Sequence, residues 1–270
     1  MRGVAHRIIV LVCAGLVPAA ALPASTEWPE WSVVFVAHRG GIVPGYPENT
    51  LAAFRQAIEQ GVQVIEIDLR GTGDGEVVIM HDATVDRTTD GQGPVAGKTL
   101  AELRQLDAGR GERIPTYAEV LQLVAGSGVK LLLDIKESPA LDKRAVVRLT
   151  GAHDAALNVI VGARTLHDLR IFQALDPNLR TLGFVEGVED IERFVEAGID
   201  IIRLWPEWID RDPGLVKKVH ALGKPVWMTA GAAPRAELER LITLGINGIL
   251  SDHPSVVSAV RADMATRRGK

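Results

Sequence analysis

Residues 65–82, IEIDLRGTGDGEVVIMHD, read as a strand, a tight turn and a second strand. Side chains two apart in a strand share a face. Glu66 and Asp68 therefore stand side by side, while Ile65, Ile67 and Leu69 face the other way. Two carboxylates crowded together on an otherwise apolar strand want a cation. Asp74-Gly75 suits a two-residue type I′ loop, which needs φ > 0 at both central positions. With that loop the arms pair outward from Gly73 and Glu76, and His81 falls opposite Asp68 on the same face. Glu66, Asp68 and His81 are thus expected to form one cluster.

The same strand sits in a longer rhythm. Strand-like runs recur at 33–37, 62–68, 129–135, 158–163, 180–185, 199–205, 225–230 and 245–251. Helical spacing marks 49–61 and 117–126, and further helices are expected from Leu166, Val188, Gly214, Pro234 and Pro254. Continuous apolar strands suit a parallel sheet covered on both faces. Alternation with helices implies an α/β fold, and a count of eight closes a TIM barrel. The expected fold is a TIM (β/α)8 barrel spanning 30–265, with a small hairpin-containing insertion between strand 2 and helix 2. That insertion, about 69–115, is polar and turn-rich and reads as an excursion over the barrel mouth. A doubly wound open sheet would want a glycine-rich phosphate loop after an early strand, and the glycines of HRGGIVPGYPEN (38–49) have the wrong spacing.

The N-terminus places Arg2 and Arg7 before an apolar run from Ile8 that ends in small residues near Ala21 or Ala24. This is the layout of a secretory signal peptide over 1–24, and it predicts a secreted or periplasmic chain; an uncleaved N-terminal membrane anchor is the alternative. The run is short for a bilayer span and is interrupted by Pro18 and Pro23, so no stable span is expected in the mature chain. Cys13, the single cysteine, lies in this leader, and the mature chain then needs no disulfide. A net charge of −4 argues against nucleic acid as a partner.

Barrel enzymes place their chemistry at the C-terminal ends of the strands. Strand 1 ends in His38-Arg39, strand 2 in Glu66 and Asp68 with His81 folded back, and strand 3 in Asp134 and Lys136. Glu66, Asp68 and Asp134 offer oxygen ligands without cysteine, a set that suits Ca²⁺ or Mg²⁺ better than zinc. Arg39 and Lys136 would neutralise a phosphate diester. His38 and His81 would divide the proton transfers, one as base and one as acid to the leaving alcohol. The chemistry that fits is metal-assisted phosphodiester cleavage. Asn49 reads either as the cap of the first helix or, with Glu48, as a partner of the site. Trp227 reads either as core or as a wall of the alcohol pocket.

HRG (38–40), PENTLAAF (47–54), EIDL (66–69), DGEVVIMHD (74–82), RTTDGQG (87–93) and GINGILSDHP (245–254) together resemble the signature segments of the glycerophosphodiester phosphodiesterase family. The resemblance covers essentially the whole chain after the leader. It implies a metal-dependent hydrolysis of small-molecule glycerophosphodiesters to an alcohol and sn-glycerol 3-phosphate. It also implies His38 and His81 as the acid/base pair, Glu66 and Asp68 as metal ligands, and Arg39 and Lys136 at the phosphate. Two segments depart from the family pattern. DIK stands at 134–136 where EIK is usual, so Asp134 is shorter by one methylene, roughly 1.5 Å of reach. LDAGRGERIPT (106–116) is shorter than the usual lid, which predicts a more open mouth. Two other readings keep the barrel: a lysophospholipase D or sphingomyelinase D-like enzyme releasing a cyclic phosphate, which an exposed apolar rim on the insertion would favour, and a barrel that binds phosphodiesters without turnover.

Overall fold

Strand β1 (Val34–Ala37) lies between β9 (Gly248–Ser251) and β2 (Val64–Gly71), pairing in parallel with both. That double pairing closes a ring. From β2 the ring continues through β4 (Lys130–Ile135), β5 (Val159–Ala163), β6 (Arg180–Gly183), β7 (Ile201–Leu204) and β8 (Val226–Gly231) to β9, all parallel. The computed structural model describes residues 33–42, 44–136, 138 and 140–253, and beyond them 255, 256, 259, 260, 262, 263 and 266. All eight expected barrel strands are present. The expected leader with Cys13 and the expected helix start at Pro254 lie outside the described residues. Among the described residues no helix is long and apolar enough to cross a membrane.

Strand alternation sorts the side chains. Ile65, Ile67 and Leu69 of β2 and Leu131, Leu133 and Ile135 of β4 share a core with Phe54 of α1 (Leu51–Glu59) and with Tyr117, Val120 and Leu121 of α3 (Tyr117–Val124). Each is under one-tenth exposed, so each contributes roughly 1.5–3 kcal/mol of burial free energy. Glu66, Asp68 and Asp134 are thereby turned into the barrel. On the far side Ile202 and Leu204 of β7 and Ile249 of β9 pack with Val216 and Val219 of α8 (Leu215–Ala221) and Leu238 and Leu241 of α9 (Arg235–Thr243). Helix α5 (Leu166–Leu175) follows β5, α6 (Ile191–Glu196) follows β6, and α7 (Pro206–Arg211) precedes α8.

Helix α4 (Lys143–Ala152) fills the one connection for which the sequence reading names no helix. Its apolar face is short, with only Ala145 and Val146 as buried hydrophobics. Its start was readable: the Asp142 side chain accepts from the Arg144 N–H at 2.9 Å.

The hairpin departs from expectation by one residue. Strand β3 (Val77–Ile79) pairs antiparallel with β2 in the register Leu69↔Ile79, and the Met80 N–H donates to the Asp68 carbonyl. Met80, not His81, is therefore opposite Asp68. The turn closes from Thr72, whose carbonyl accepts from the Gly75 N–H at 3.1 Å, and Gly75 alone takes a left-handed φ of 86° while Asp74 does not. This is a three-residue loop ending in a left-handed glycine. Asp74 is held in place because Thr72 Oγ1 donates to it and it accepts from the Leu100 N–H.

The insertion has its own small core of Val78, Met80, Val85, Val95, Leu103, Ala108 and Ile114. Leu103 lies on α2 (Leu100–Leu103), which Thr99 and Glu102 begin with a capping box. The return into α3 is fixed by a second capping box of Thr116 and Glu119.

Candidate active site

Asp68 and Asp134 are register partners on neighbouring strands, and Glu66 lies two residues back along β2. One oxygen from each of the three comes within 4.8 Å of the others, and all three residues are buried. The cluster expected from β2 and β4 is thus assembled by parallel pairing, without help from any loop.

Burial, then the charges of Asp68 and Asp134, push the Glu66 carboxyl well above the usual carboxylate range, partly offset by His38. Burial opposes the charge on Asp134 too, but Lys136 and Arg164 outweigh it and hold that carboxyl below its ordinary value. The Lys136 ammonium bridges the acids, 2.8 Å from Asp68 Oδ1 and 2.5 Å from Asp134 Oδ2. Arg164, just past β5, reaches both oxygens of Asp134 at 2.6 and 2.9 Å. Asp68 Oδ1 and Asn49 Oδ1 are buried without a hydrogen bond of acceptable geometry. Three convergent carboxylates, with an ammonium drawn between two of them, fit a divalent cation held by Glu66, Asp68 and Asp134.

His38 ends β1 in a short turn, with Arg39 in a left-handed conformation at φ 53°. Such a φ is uncommon outside glycine. Here the backbone is bonded on both sides, the Arg39 N–H donating to Glu66 at 2.9 Å and its carbonyl accepting from the Asn49 N–H. The His38 ring is held through Nδ1, 2.6 Å from Asp252 Oδ1. Burial lowers the His38 pKa, but the bond to Asp252 and the charge of Glu66 raise it further, and the net is upward. Asp252 follows β9, the strand that closes onto β1.

His81 does not touch the triad. Its carbonyl accepts from Arg70 of β2 at 3.0 and 2.6 Å, and its Nδ1 lies 2.6 Å from Asp82. From there a chain of ion pairs runs through Arg87 (2.6 Å from Asp82) to Glu48 (2.7 Å) and on to Arg39 (3.1 Å). His81, Glu48, Asn49, Met80, Thr88 and Ala108 line one small cleft between the insertion and the β1–α1 loop.

Asn49 is not the cap of α1. Thr50 caps it, its hydroxyl accepting from the Ala53 N–H, while Asn49 takes φ 57° and its side-chain amide donates to Asp68 at 2.7 Å. Trp227 is 2% exposed, and its ring lies against Gly248 inside the barrel. Arg70, Asp82, Arg87, Arg164 and Arg203 are site residues that the sequence reading passed over, and Asp252, before Pro254, reads in the sequence as the start of the last helix. Arg203 carried a signal: a charged residue inside the apolar run IIRLW, legible by the alternation that exposed Glu66 and Asp68.

A parallel eight-stranded barrel whose mouth gathers acids, histidines and guanidinium groups defines a barrel phosphoesterase. The family model described as the glycerophosphoryl diester phosphodiesterase family matches residues 38–256. The chain is 32% identical over 239 residues to a glycerophosphodiester phosphodiesterase of Caldanaerobacter subterraneus subsp. tengcongensis, covering 84% of this chain and 97% of that one. A glycerophosphodiester phosphodiesterase of Bacillus subtilis is 28% identical, covering 85% and 86% of the two chains. Among solved structures, an Oleispira antarctica phosphodiesterase in complex with the product sn-glycerol-3-phosphate is similar with a TM-score of 0.76 at 28% identity, covering 84% and 96%. A glycerophosphodiester phosphodiesterase from Agrobacterium tumefaciens superposes with a TM-score of 0.73 at 25% identity, covering 84% and 99%. The chain belongs to the glycerophosphoryl diester phosphodiesterase family and is an enzyme of that class.

Proposed function

We propose that this chain hydrolyses glycerophosphodiesters to an alcohol and sn-glycerol 3-phosphate, with His38 and His81 as the proton-transfer pair. The observation that carries the reading is the buried triad of Glu66, Asp68 and Asp134 beside His38 on one barrel rim. A divalent ion there, Ca²⁺ or Mg²⁺, would supply charge stabilisation to the phosphate oxygens. Arg39 and Lys136 flank the acids and present the cations that orient the diester. With Nδ1–H given to Asp252, His38 keeps Nε2 for the reacting hydroxyl or leaving oxygen. His81 is oriented in the same way by Asp82, so each ring is set by its own carboxylate.

The exposed large hydrophobics among the described residues, such as Ile42, Tyr46 and Trp205, lie outside the insertion. An apolar rim there, which a lysolipid chain would need, is missing, and this supports the deacylated diester as substrate. The Arg-flanked apolar run at residues 2–24 supports export, to be checked by sequencing the N-terminus of the mature protein.

The test is release of sn-glycerol 3-phosphate from a panel of glycerophosphodiesters by chelator-stripped protein with Ca²⁺ or Mg²⁺ restored. Turnover should need the ion and fall by about 10²–10⁴-fold in His38→Ala and His81→Ala. Ion-independent turnover, or full activity in either variant, overturns the assignment.

A further inference from the structure

The barrel mouth has two chemically different halves. Strands β1, β2, β4 and β9 deliver His38, the three acids and Asp252. Strands β5 to β8 deliver Arg164, Phe184, Arg203, Trp205 and Thr229. Ile202 and Leu204 pack outward beneath the helices, so Arg203 between them points inward, and it is only 4% exposed. Its Nε and Nη2 both donate to Thr229 Oγ1, at 3.1 and 2.8 Å. Its Cζ lies 3.6 Å from the centre of the Trp205 ring and 5.1 Å from that of Phe184. Arg164 approaches Phe184 at the same 5.1 Å. Phe184 fits there because Gly162 on the next strand has no side chain: a Cβ would sit 2.2 Å from its ring.

A buried guanidinium is ordinarily paired with a carboxylate. Among the described residues Arg203 has none within ion-pair distance; Asp134, Glu66 and Glu207 act on it from farther away, and burial draws its pKa down to about 10. Hydroxyl and aromatic partners fix the group without neutralising it. The diester phosphate already has Arg39 and Lys136 on the opposite half of the mouth.

We propose that Arg203, with Arg164 beside it on the Phe184 ring, forms the site for the alcohol half of the diester and favours alcohols bearing a second anion, carboxylate or phosphate, over cationic ones. The guanidinium fork matches either anion bidentately and sheds water readily. A quaternary ammonium finds no such welcome: the Phe184 and Trp205 faces that would attract it are occupied by guanidinium. This selectivity rests on the phosphodiesterase reading above.

The experiment compares kcat/KM for glycerophosphocholine, glycerophosphoglycerol, glycerophosphoserine and glycerophosphoinositol 4-phosphate, in the wild-type protein and in Arg203→Gln and Arg203→Lys. The phosphate-bearing or carboxylate-bearing diester should exceed the choline diester by roughly tenfold or more, and Arg203→Gln should collapse that ratio. Arg203→Lys keeps the charge without the fork and should retain a reduced preference, which decides the matter even where the glutamine variant does not fold. Which anionic diester leads tells carboxylate from phosphate. Equal or better use of the choline diester, or a glutamine variant that slows all four by one factor, overturns the proposal. Calorimetric binding of the same four compounds to His38→Ala protein reads the order without turnover. A chain that hydrolyses none of them, which defeats the functional reading, therefore still decides this one.

Discussion

His38 is placed by a residue at the other end of the chain. Asp252 sits 214 positions away, and its carboxylate meets Nδ1 because β9 closes the barrel onto β1. That bond fixes the ring and, with Glu66, keeps the imidazolium favoured to higher pH than usual. Asp252→Asn removes the negative charge while keeping the shape. Turnover should fall roughly 10²-fold, and the limb of the kcat/KM profile that reports His38 should move to lower pH, since a raised pKa loses its cause. A lower rate with an unmoved limb would assign Asp252 to the fold alone. Within SDHP the residue reads equally as the start of a helix; its meaning comes from ring closure, which no local window contains. Asp134, by contrast, was legible together with its shortened reach, and the structure adds that Arg164 and Lys136 occupy the oxygens it presents.

The insertion is joined to the barrel mouth by charge as well as by its core. Arg87 binds Asp82, which holds His81, and Glu48, which holds Arg39. It is half exposed, so its ion pairs contribute little stability, about 1 kcal/mol or less. Arg87→Ala should therefore lower Tm by no more than about 2–4 °C yet cut kcat by about 10-fold or more through misplacement of His81. Arg87 draws the Asp82 and Glu48 carboxyls below their ordinary values, against the upward pull of burial. Depressed carboxylates stabilise the fold above the unfolded-state pKa and cease to as pH falls through the folded-state pKa. The stability gap between wild type and variant should hold at neutral pH and close below about pH 4. Denaturant melts across that range check it; a gap that widens in acid would contradict the pairing. At this scale the hairpin shows where sequence reasoning stops. Asp-Gly announces a turn, but whether it is a two-residue or a three-residue loop depends on the Thr72 and Leu100 contacts that grip Asp74, and that choice shifted His81 by one position.

Over the whole molecule the barrel was legible because each strand carries its own apolar run, and Arg203 stood out within one of them, whereas Arg164, just past the end of β5, looks like an ordinary surface charge until the ring is closed. The closed ring also concentrates negative charge where the solvent is excluded, and this has a measurable cost. Burial, with Asp68 and Asp134 adding to it, raises the Glu66 carboxyl in the metal-free protein above its unfolded-state value. A raised carboxyl contributes stability that is complete below the unfolded pKa, near 4.3, and is lost as pH climbs through the folded one. Chelator-treated protein should thus lose stability between about pH 4 and neutrality, opposite in sign to the Arg87 network. A divalent ion that binds only the folded chain should restore it, by about 2.7 kcal/mol at a hundredfold excess over Kd. Glu66→Gln separates the two effects: its metal-free Tm should match or exceed wild type at neutral pH, because a neutral amide replaces a crowded acid, while the rise in Tm with Ca²⁺ or Mg²⁺ should largely disappear. Scanning calorimetry at pH 5 and pH 7.5, with and without ion, reads all four quantities. A variant that is less stable without ion and still responds to it would place the cation elsewhere.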